Sequence, residues 1–494
     1  MNSKNSGQRL LVYLPIVILI IGIVFRLLVL MQNRNLLIDE VNVARNLYER
    51  GYMDLLKPLR YEQFAPPLFL WVCKWTMLHF GAYEWSLRLF PFVSSVIGFL
   101  LFYALLKKLK IKSALFYPLS IVALGMIYVR YATELKQYAS DVMVVMALLY
   151  MALHYDILST HKRKFMLIWA LAGSVAIWMS MPSVFVLTGI VAYYTYQCFH
   201  PQLPKKWGFY LVIPFLWLVQ FAVYFKLLLA PSIHSDYLQN WHQQHMLLWP
   251  TSIAHCKHNF DALAHYFSMM AGHWVLSSAF NLLLLAVGTV VLFKRNKGQF
   301  LLLSAPLVLL LLAALLHQFT LLPRVCLFSY PIVLLLMAQG LEFIFQAHIR
   351  APYKFVATAV AVYTLFMFNQ LNWLRDPPEF EKTLQGFTWI KQHPVKPDHI
   401  YVHDLVRPSK IYYTQIHPDS SRWAFMKNAG LIDWSTNMDA LCRTQKEPCI
   451  MMYEWMDEHE LEQHPKLFRQ YFIYKDSLCS QNQYVYFFQP KSNN

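Results

Sequence analysis

Residues Leu10 to Met31 form an apolar run whose only charge is Arg26. As a helix it is long enough to cross a hydrocarbon core of about 30 Å. The run exceeds a secretory h-region, has no small-residue cleavage site behind it and is followed by further apolar blocks, so it is read as a retained first helix. Further spans are expected near 88–106, 114–129, 139–157, 165–181, 183–199, 208–229, 274–293, 299–316, 325–345 and 353–370. Pro182 divides one long stretch into two short spans, and a single kinked helix there would reverse the side of everything downstream. Over 494 residues, 57% are hydrophobic, 14% are charged and the mean hydropathy is +0.35, more apolar content than a soluble core requires.

The basic residues fall in alternate loops. Lys107, Lys108, Lys110 and Lys112 form one group, followed by Lys162, Arg163 and Lys164, by Lys205 and Lys206, by Lys294, Arg295 and Lys297, and by Arg350 and Lys354. The positive-inside rule makes these loops cytoplasmic together with Lys4 and Arg9, and an odd span count puts the C-terminus outside. Arg34, Arg45, Arg50, Lys57 and Arg60 break the pattern in the first outer loop, which points to a use there such as holding phosphate. The formal charge of +16 is thus mostly a topology signal and does not imply nucleic-acid binding. The inner loops are short and carry no glycine-rich phosphate cradle. The long polar segments 32–87, 230–273 and 371–494 all fall outside, where an activated group would have to arrive on a lipid.

Two acidic sites stand at the expected outer surface. Asp39 and Glu40 lie eight residues beyond the first run, on a segment whose Asp39, Asn42, Asn46 and Glu49 share a helical face. Such a face also suits a solvated interfacial helix. Paired carboxylates at a lipid-water boundary suit proton transfer. Leu68 to Phe80, after Pro66 and Pro67, is too short to cross and reads as an interfacial helix carrying Lys74. In the next outer loop, Tyr131, Glu134, Tyr138 and Asp141 fall on one stripe if the segment is helical, with Lys136 directed away. Ionisable residues at a span boundary point to function, while Arg130 and Glu134 at i,i+4 spacing also suit a structural ion pair.

Leu37-Ile-Asp39-Glu40, Tyr61-Glu-Gln-Phe-Ala-Pro-Pro-Leu-Phe-Leu70, Ser86-Leu-Arg88-Leu-Phe-Pro91 and Glu134-Leu-Lys-Gln-Tyr138, in that order, resemble glycosyltransferase family 39. That family belongs to the GT-C group of polyprenyl-phosphate-sugar-dependent transferases, with protein O-mannosyltransferases and the lipid A aminoarabinose transferase as relatives. The resemblance implies a donor sugar on a polyprenyl phosphate, a lipid, glycan or protein acceptor, and inversion at the anomeric carbon. It implies Asp39 as base, with Glu40 and Glu134 positioning sugar or acceptor. Arg324 sits where relatives place a basic residue in a final outer loop. Relatives carry His or Lys before the Pro-Pro pair where this chain has Ala65, so Gln63 or Lys74 is expected to take over near the phosphate. Tyr131, Lys136 and Tyr138 complete the expected binding set. Arg88 reads equally as a motif residue or an interfacial anchor.

His242, His245, His255, Cys256, His258 and His265 cluster in sequence, but no acidic ligand set accompanies them, and neither metal nor cofactor is expected. The expected fold is an all-α polytopic membrane bundle of about eleven spans, GT-C-like, over residues 1–370, with a small extracytoplasmic α/β domain over 371–494. Strands are expected at 398–403, 448–453, 468–474 and 483–488, and helices at 379–393, 410–415 and 454–463. Cys442 and Cys449 are read as a disulfide pair in an oxidising compartment, and Cys73, Cys198 and Cys326 as packing residues. A transporter or flippase, or a non-catalytic binder of lipid-linked sugar, also fits many spans with charge at their ends. The acids sit at span ends and no internal repeat is visible, which favours the transferase. Short loops suit a bacterial inner membrane.

Overall fold

The computed structural model describes residues 3–155, 162–199, 208–233, 242–271, 275–348, 381–433, 435–455, 466–480 and 482–491. The chain divides into two compact units. One comprises Met1–Met31, Tyr52–Cys73 and Arg88–Arg375, and the other Gln32–Gly51, Lys74–Leu87 and Asp376–Asn494.

The first unit is a helical bundle. Five helical stretches among the described residues are long and apolar enough to cross a membrane: Tyr13–Met31, Leu89–Lys108, Val212–Leu229, Lys297–Leu315 and Leu327–Gln346. The chain is an integral membrane protein of polytopic, mostly helical build with a small C-terminal sheet. Pro182 separates the helices Lys162–Met179 and Ser183–Cys198, so the stretch is not one kinked helix. The expected span at 353–370 lies outside the described residues. Helices Val275–Arg295 and Tyr330–His348 meet backbone to backbone, because a Cβ on Gly288 would stand 1.9 Å from the Leu336 carbonyl oxygen and one on Gly340 would stand 2.3 Å from that of Leu284. Small residues at a crossing allow this approach, as dispersion between close backbones drives helix association in lipid.

The span expected at 114–129 is corrected to two helices, Phe116–Leu124 and Met126–Tyr131, broken at Gly125. Gly125 takes an extended ψ of 127°, and a Cβ there would stand 2.5 Å from the Ile121 carbonyl oxygen. The break exposes carbonyls inside an apolar core, and Arg26 meets them. Its Nη2 donates to Val122 O at 2.7 Å, Nη1 to Ala123 O at 3.1 Å and to Gly22 O at 2.9 Å, and Nε to Ser95 Oγ at 2.8 Å. The guanidinium also lies 5.0 Å from the centre of the Phe99 ring. At the other end of the same short helix, Glu342 Oε2 accepts the backbone N–H groups of Lys112 at 3.1 Å, Ser113 at 2.8 Å and Ala114 at 2.9 Å. An anion at the N-terminal end and a cation at the C-terminal end both match the helix dipole.

The second unit carries a five-stranded mixed sheet in the order β2-β1-β3-β5-β4, from β1 (Ile400–His403), β2 (Gly430–Ile432), β3 (Cys449–Glu454), β4 (Phe472–Ser480) and β5 (Gln483–Pro490). β1 pairs in parallel with β2 and β3, while β3–β5 and β5–β4 are antiparallel. The strands expected at 398–403, 448–453 and 483–488 are present as β1, β3 and β5, the one expected at 468–474 is corrected to a helix through Tyr471 followed by β4, and β2 is additional. The segment expected as a helix at 379–393 is helical over Thr383–Lys391, and the one at 410–415 is helix Arg407–Ile411 followed by a π-turn through Ile416. Most of 454–463 lies outside the described residues. The disulfide expectation is corrected: Cys442 and Cys449 are free thiols within the apolar cluster of Ile432, Met451, Tyr453, Phe468 and Phe488. Burial pushes both thiols up to about 12, so they pack as small apolar groups.

Replacing Arg26 by Met keeps apolar bulk but removes every donor. It should destabilise the detergent-solubilised protein by about 1–3 kcal/mol for each carbonyl left unsatisfied. Arg26→Lys should recover only part, since one ammonium cannot span the same four acceptors. A thermal melt of Arg26→Met that matches the unaltered protein would show that this cap contributes nothing.

Candidate functional site

In the second unit, the acidic pair opens the helix Ile38–Glu49. Successive helical side chains diverge by about 100°, and the two carboxylates go different ways. Glu40 is fully buried, and its Oε2 reaches back to accept the Leu37 N–H at 3.0 Å. Asp39 is half-buried. Val41, Val43, Ala44 and Leu47 form the buried apolar side, with Asn46 buried among them. The expected polar face is therefore only partly solvated. Lys74 Nζ donates to the Leu47 carbonyl at 2.5 Å, which fixes the middle of the same helix.

Beneath the start of this helix lie two further buried carboxyls, which the sequence reading did not single out. Glu381 accepts from the Ile38 N–H, and Glu454 Oε1 accepts from Thr383 Oγ1 at 2.8 Å and Gln483 Nε2 at 3.0 Å. Burial, and then the neighbouring Glu454, push the Glu381 carboxyl well above the usual carboxylate range. Burial raises Glu454 to about 7, against hydrogen bonds from Thr383 and Gln483 that favour its charged form.

In the first unit, the segment after Met126–Tyr131 turns through 132–137 before the helix Tyr138–His154 begins. The single helical stripe through Tyr131, Glu134, Tyr138 and Asp141 is therefore corrected, and the turn rearranges its neighbours. Arg130 Nε and Glu134 Oε1 form an ion pair at 2.8 Å. The rings of Tyr131 and Tyr138 meet edge to face at 5.2 Å. Lys136 is not directed into solvent: it is buried, and its Nζ donates to Gln63 Oε1 at 2.5 Å. Two residues of the expected binding set, of which Gln63 was expected near the phosphate, thus act as one hydrogen-bonded group.

Arg324 lies within electrostatic range of Arg130, His242 and His245. Backbone pairing between two distant loops assembles this group: Leu321 N donates to His245 O at 2.9 Å, and Leu247 N donates to Ala314 O at 3.3 Å. His245 in turn stacks with His265 at 5.8 Å. Burial first and the Arg324 charge second push His242 down to about 4, and burial, His265 and Arg324 lower His245. Both imidazoles are therefore held in the neutral form at pH 7. The histidines were legible as a cluster, but the approach to Arg324 crosses nearly eighty positions of sequence and left no signal in the spacing. His255 and His258 face the Trp249 and Met246 carbonyls through ring nitrogens.

Searches of family models and of curated proteins find no match for this chain. Among solved structures it is similar to ArnT from Cupriavidus metallidurans in the apo state, with a TM-score of 0.52, 13% identity and 98% of each chain covered. The crystal structure of the same protein bound to undecaprenyl phosphate aligns with a TM-score of 0.51, 14% identity and 98% coverage of each chain. The fold is GT-C. Of the groups described above, Asp39, Glu40, Glu381 and Glu454 lie in one unit, and Arg130, Glu134, Arg324, His242 and His245 in the other.

The buried carboxyls give the second unit a pH dependence of definite sign. A carboxyl whose folded pKa is raised binds its proton more tightly in the folded state, so its stabilisation is complete below about pH 4 and is lost as pH rises through about 7 for Glu454. Glu454→Gln should remove part of this loss, with Glu381 supplying the rest. Amide protection of β3 and β5, corrected for intrinsic exchange rates, should exceed that of the unaltered protein at pH 8 but match it at pH 5. Parallel pH profiles for the two proteins would contradict the assignment.

Proposed function

We propose that the protein is an integral-membrane glycosyltransferase. It moves a sugar from a polyprenyl-phosphate donor to a cell-envelope acceptor at the outer face of the inner membrane. The likeness in fold to ArnT over nearly the whole of both chains carries the reading, and one of those structures is bound to undecaprenyl phosphate. The alternate basic loops support a cytoplasmic N-terminus and an outer C-terminal domain. Asp39 and Arg324 are the residues whose chemistry the reading uses.

The acceptor hydroxyl attacks the anomeric carbon from the face opposite the phosphate. A new C–O bond forms, the bond to the phosphate oxygen breaks with its electron pair leaving on the lipid phosphate, and the configuration inverts. Asp39 takes the hydroxyl proton. It is the half-exposed member of the pair, whereas Glu40 is engaged in capping the helix that carries it. Glu134, held by Arg130, positions sugar or acceptor together with Tyr131 and Tyr138. Arg324 stabilises charge on the departing phosphate, and the neutral imidazoles of His242 and His245 near it offer ring N–H donors to the same oxygens. Lys136 and Gln63 provide a further polar contact in place of the basic residue that Ala65 lacks.

Mass spectrometry of envelope glycolipids and glycoproteins from cells with and without the protein tests the reading. A mass increment lost on deletion identifies sugar and acceptor together, and an unchanged envelope would sink the proposal.

Asp39→Asn keeps size and hydrogen-bonding reach but cannot take a proton at neutral pH, so transfer should fall by about 100-fold or more with the protein still folded. Near-normal transfer by Asp39→Asn, with loss in Glu40→Gln or Glu134→Gln, would move the base to another carboxylate.

Arg324→Ala should weaken use of the lipid donor more than use of the acceptor, because a permanently charged guanidinium suits a phosphate and Lys replaces it only partly. Titration of donor and acceptor separately distinguishes the two. A change confined to the acceptor would assign Arg324 to the opposite side of the reaction.

A further inference from the structure

Glu381 is buried where three separate segments of the second unit converge on its carboxyl. Oε1 accepts the Ile38 N–H at 2.5 Å and the Trp455 Nε1–H at 2.8 Å, while Ser409 Oγ donates to Oε2 at 3.3 Å. Its backbone carbonyl also accepts from Asn35 Nδ2 at 3.3 Å. Ile38 is the first residue of the helix that carries Asp39. The neighbouring donors at this helix start are met as well, Leu37 N–H by Glu40 and Leu36 N–H by the Tyr413 hydroxyl at 3.2 Å. The chain that enters the helix is therefore held by the C-terminal domain, and Glu381 grips the residue adjacent to Asp39.

This grip fixes the rotation of the first turn. A side-chain terminus lies about 5–6 Å from a helix axis, so a rotation of about 10° moves the Asp39 oxygens by about 1 Å. Displacement of a reacting group by that amount costs transfer on the order of 100-fold.

We propose that Glu381 is a positioning residue for transfer, its carboxyl holding the Ile38 amide so that Asp39 meets the acceptor hydroxyl at a fixed angle. The proposal rests on the reading of Asp39 as the base. Burial and the nearby Glu454 keep Glu381 protonated, so the hold depends on reach and not on negative charge.

Reach and charge are separable in the full-length protein. Glu381→Gln keeps the length and an oxygen acceptor but cannot ionise, whereas Glu381→Asp keeps a carboxyl and withdraws it by one methylene, about 1.5 Å. Each variant is expressed at equal level in cells lacking the native gene, and the initial rate at which the envelope mass increment reappears is measured. Hydrogen exchange is followed in the purified protein over residues 36–41 and over β3 and β5.

Glu381→Gln should transfer within about 3-fold of the unaltered rate and keep Ile38 protected. Glu381→Asp should slow transfer by about 10- to 100-fold, with faster exchange at 36–41 and unchanged protection in the sheet. A folded Glu381→Asp at the unaltered rate, or a folded Glu381→Gln as slow as Asp, overturns the proposal. If Glu381→Asp loses sheet protection as well, Glu381→Gln decides: protected and active upholds the hold, protected and slow removes it. Asp39→Asn in the same assay separates the two readings. Its retention of transfer removes the base assignment, whereas its loss beside an active, folded Glu381→Asp leaves the base and removes the positioning role.

Discussion

The short helix Phe116–Leu124 is closed at both ends by buried ionisable side chains from distant parts of the chain. Arg26 reaches its C-terminal carbonyls from the first helix, and Glu342 takes the amides at its start from the helix Tyr330–His348. In hydrocarbon, an unsatisfied carbonyl or amide costs several kcal/mol, so a helix broken at Gly125 persists only where other groups receive its open ends. The two caps thereby tie the first and the last described helices of the bundle to one central element. They also explain why a charge is tolerated in each of two strongly apolar segments. Neither charge faces lipid, and each is held by several hydrogen bonds.

A comparable economy governs the second unit. The segments Gln32–Gly51 and Lys74–Leu87 belong to the same compact unit as the C-terminal sheet, although they stand hundreds of residues before it. Buried polar contacts hold them there. Tyr412 donates to the Ala82 carbonyl at 2.6 Å, His417 Nε2 stands 3.3 Å from Glu84 Oε2, and Glu381 takes the Ile38 amide. A helix of twelve residues with so many polar side chains would be marginal alone. Its apolar side of Val41, Val43, Ala44 and Leu47 and the acceptors at its start make it an integral part of a folded domain. The acidic motif therefore sits on a helix packed into a folded unit, which suits the role proposed for Asp39.

The contrast between the two polar sets follows from solvation. Carboxyls collected in a buried place raise one another's pKa and stay protonated, which suits hydrogen-bonded scaffolding more than proton abstraction. The histidines gathered by loop pairing do the reverse: burial first, and the Arg324 charge after it, lower the imidazoles and leave them neutral. Asp39 is half-exposed, which accords with the role of base proposed for it.

The sequence by itself determined the class of fold. Long apolar runs must be buried in lipid, alternation along the tail specifies strands, and both are local consequences of hydrophobic period. It also marked Asp39, Glu40 and Glu134 as acids at the expected outer surface, while Arg324 entered through the family resemblance alone. Local pattern was insufficient where the backbone turns. The helical stripe drawn through Glu134 fails because the chain bends at 132–137, which carries Lys136 inward to Gln63. The two cysteines expected to pair are free thiols packed in the apolar core around β3. Only the tertiary structure decided that Arg26 and Glu342 cap one broken helix, that His242 and His245 join Arg324, and that Glu381 holds the residue beside Asp39. Each of these joins residues separated by tens to hundreds of positions. Such pairings depend on which backbone groups are left unsatisfied once the chain is packed, and that is a property of the folded whole that no local window of sequence contains.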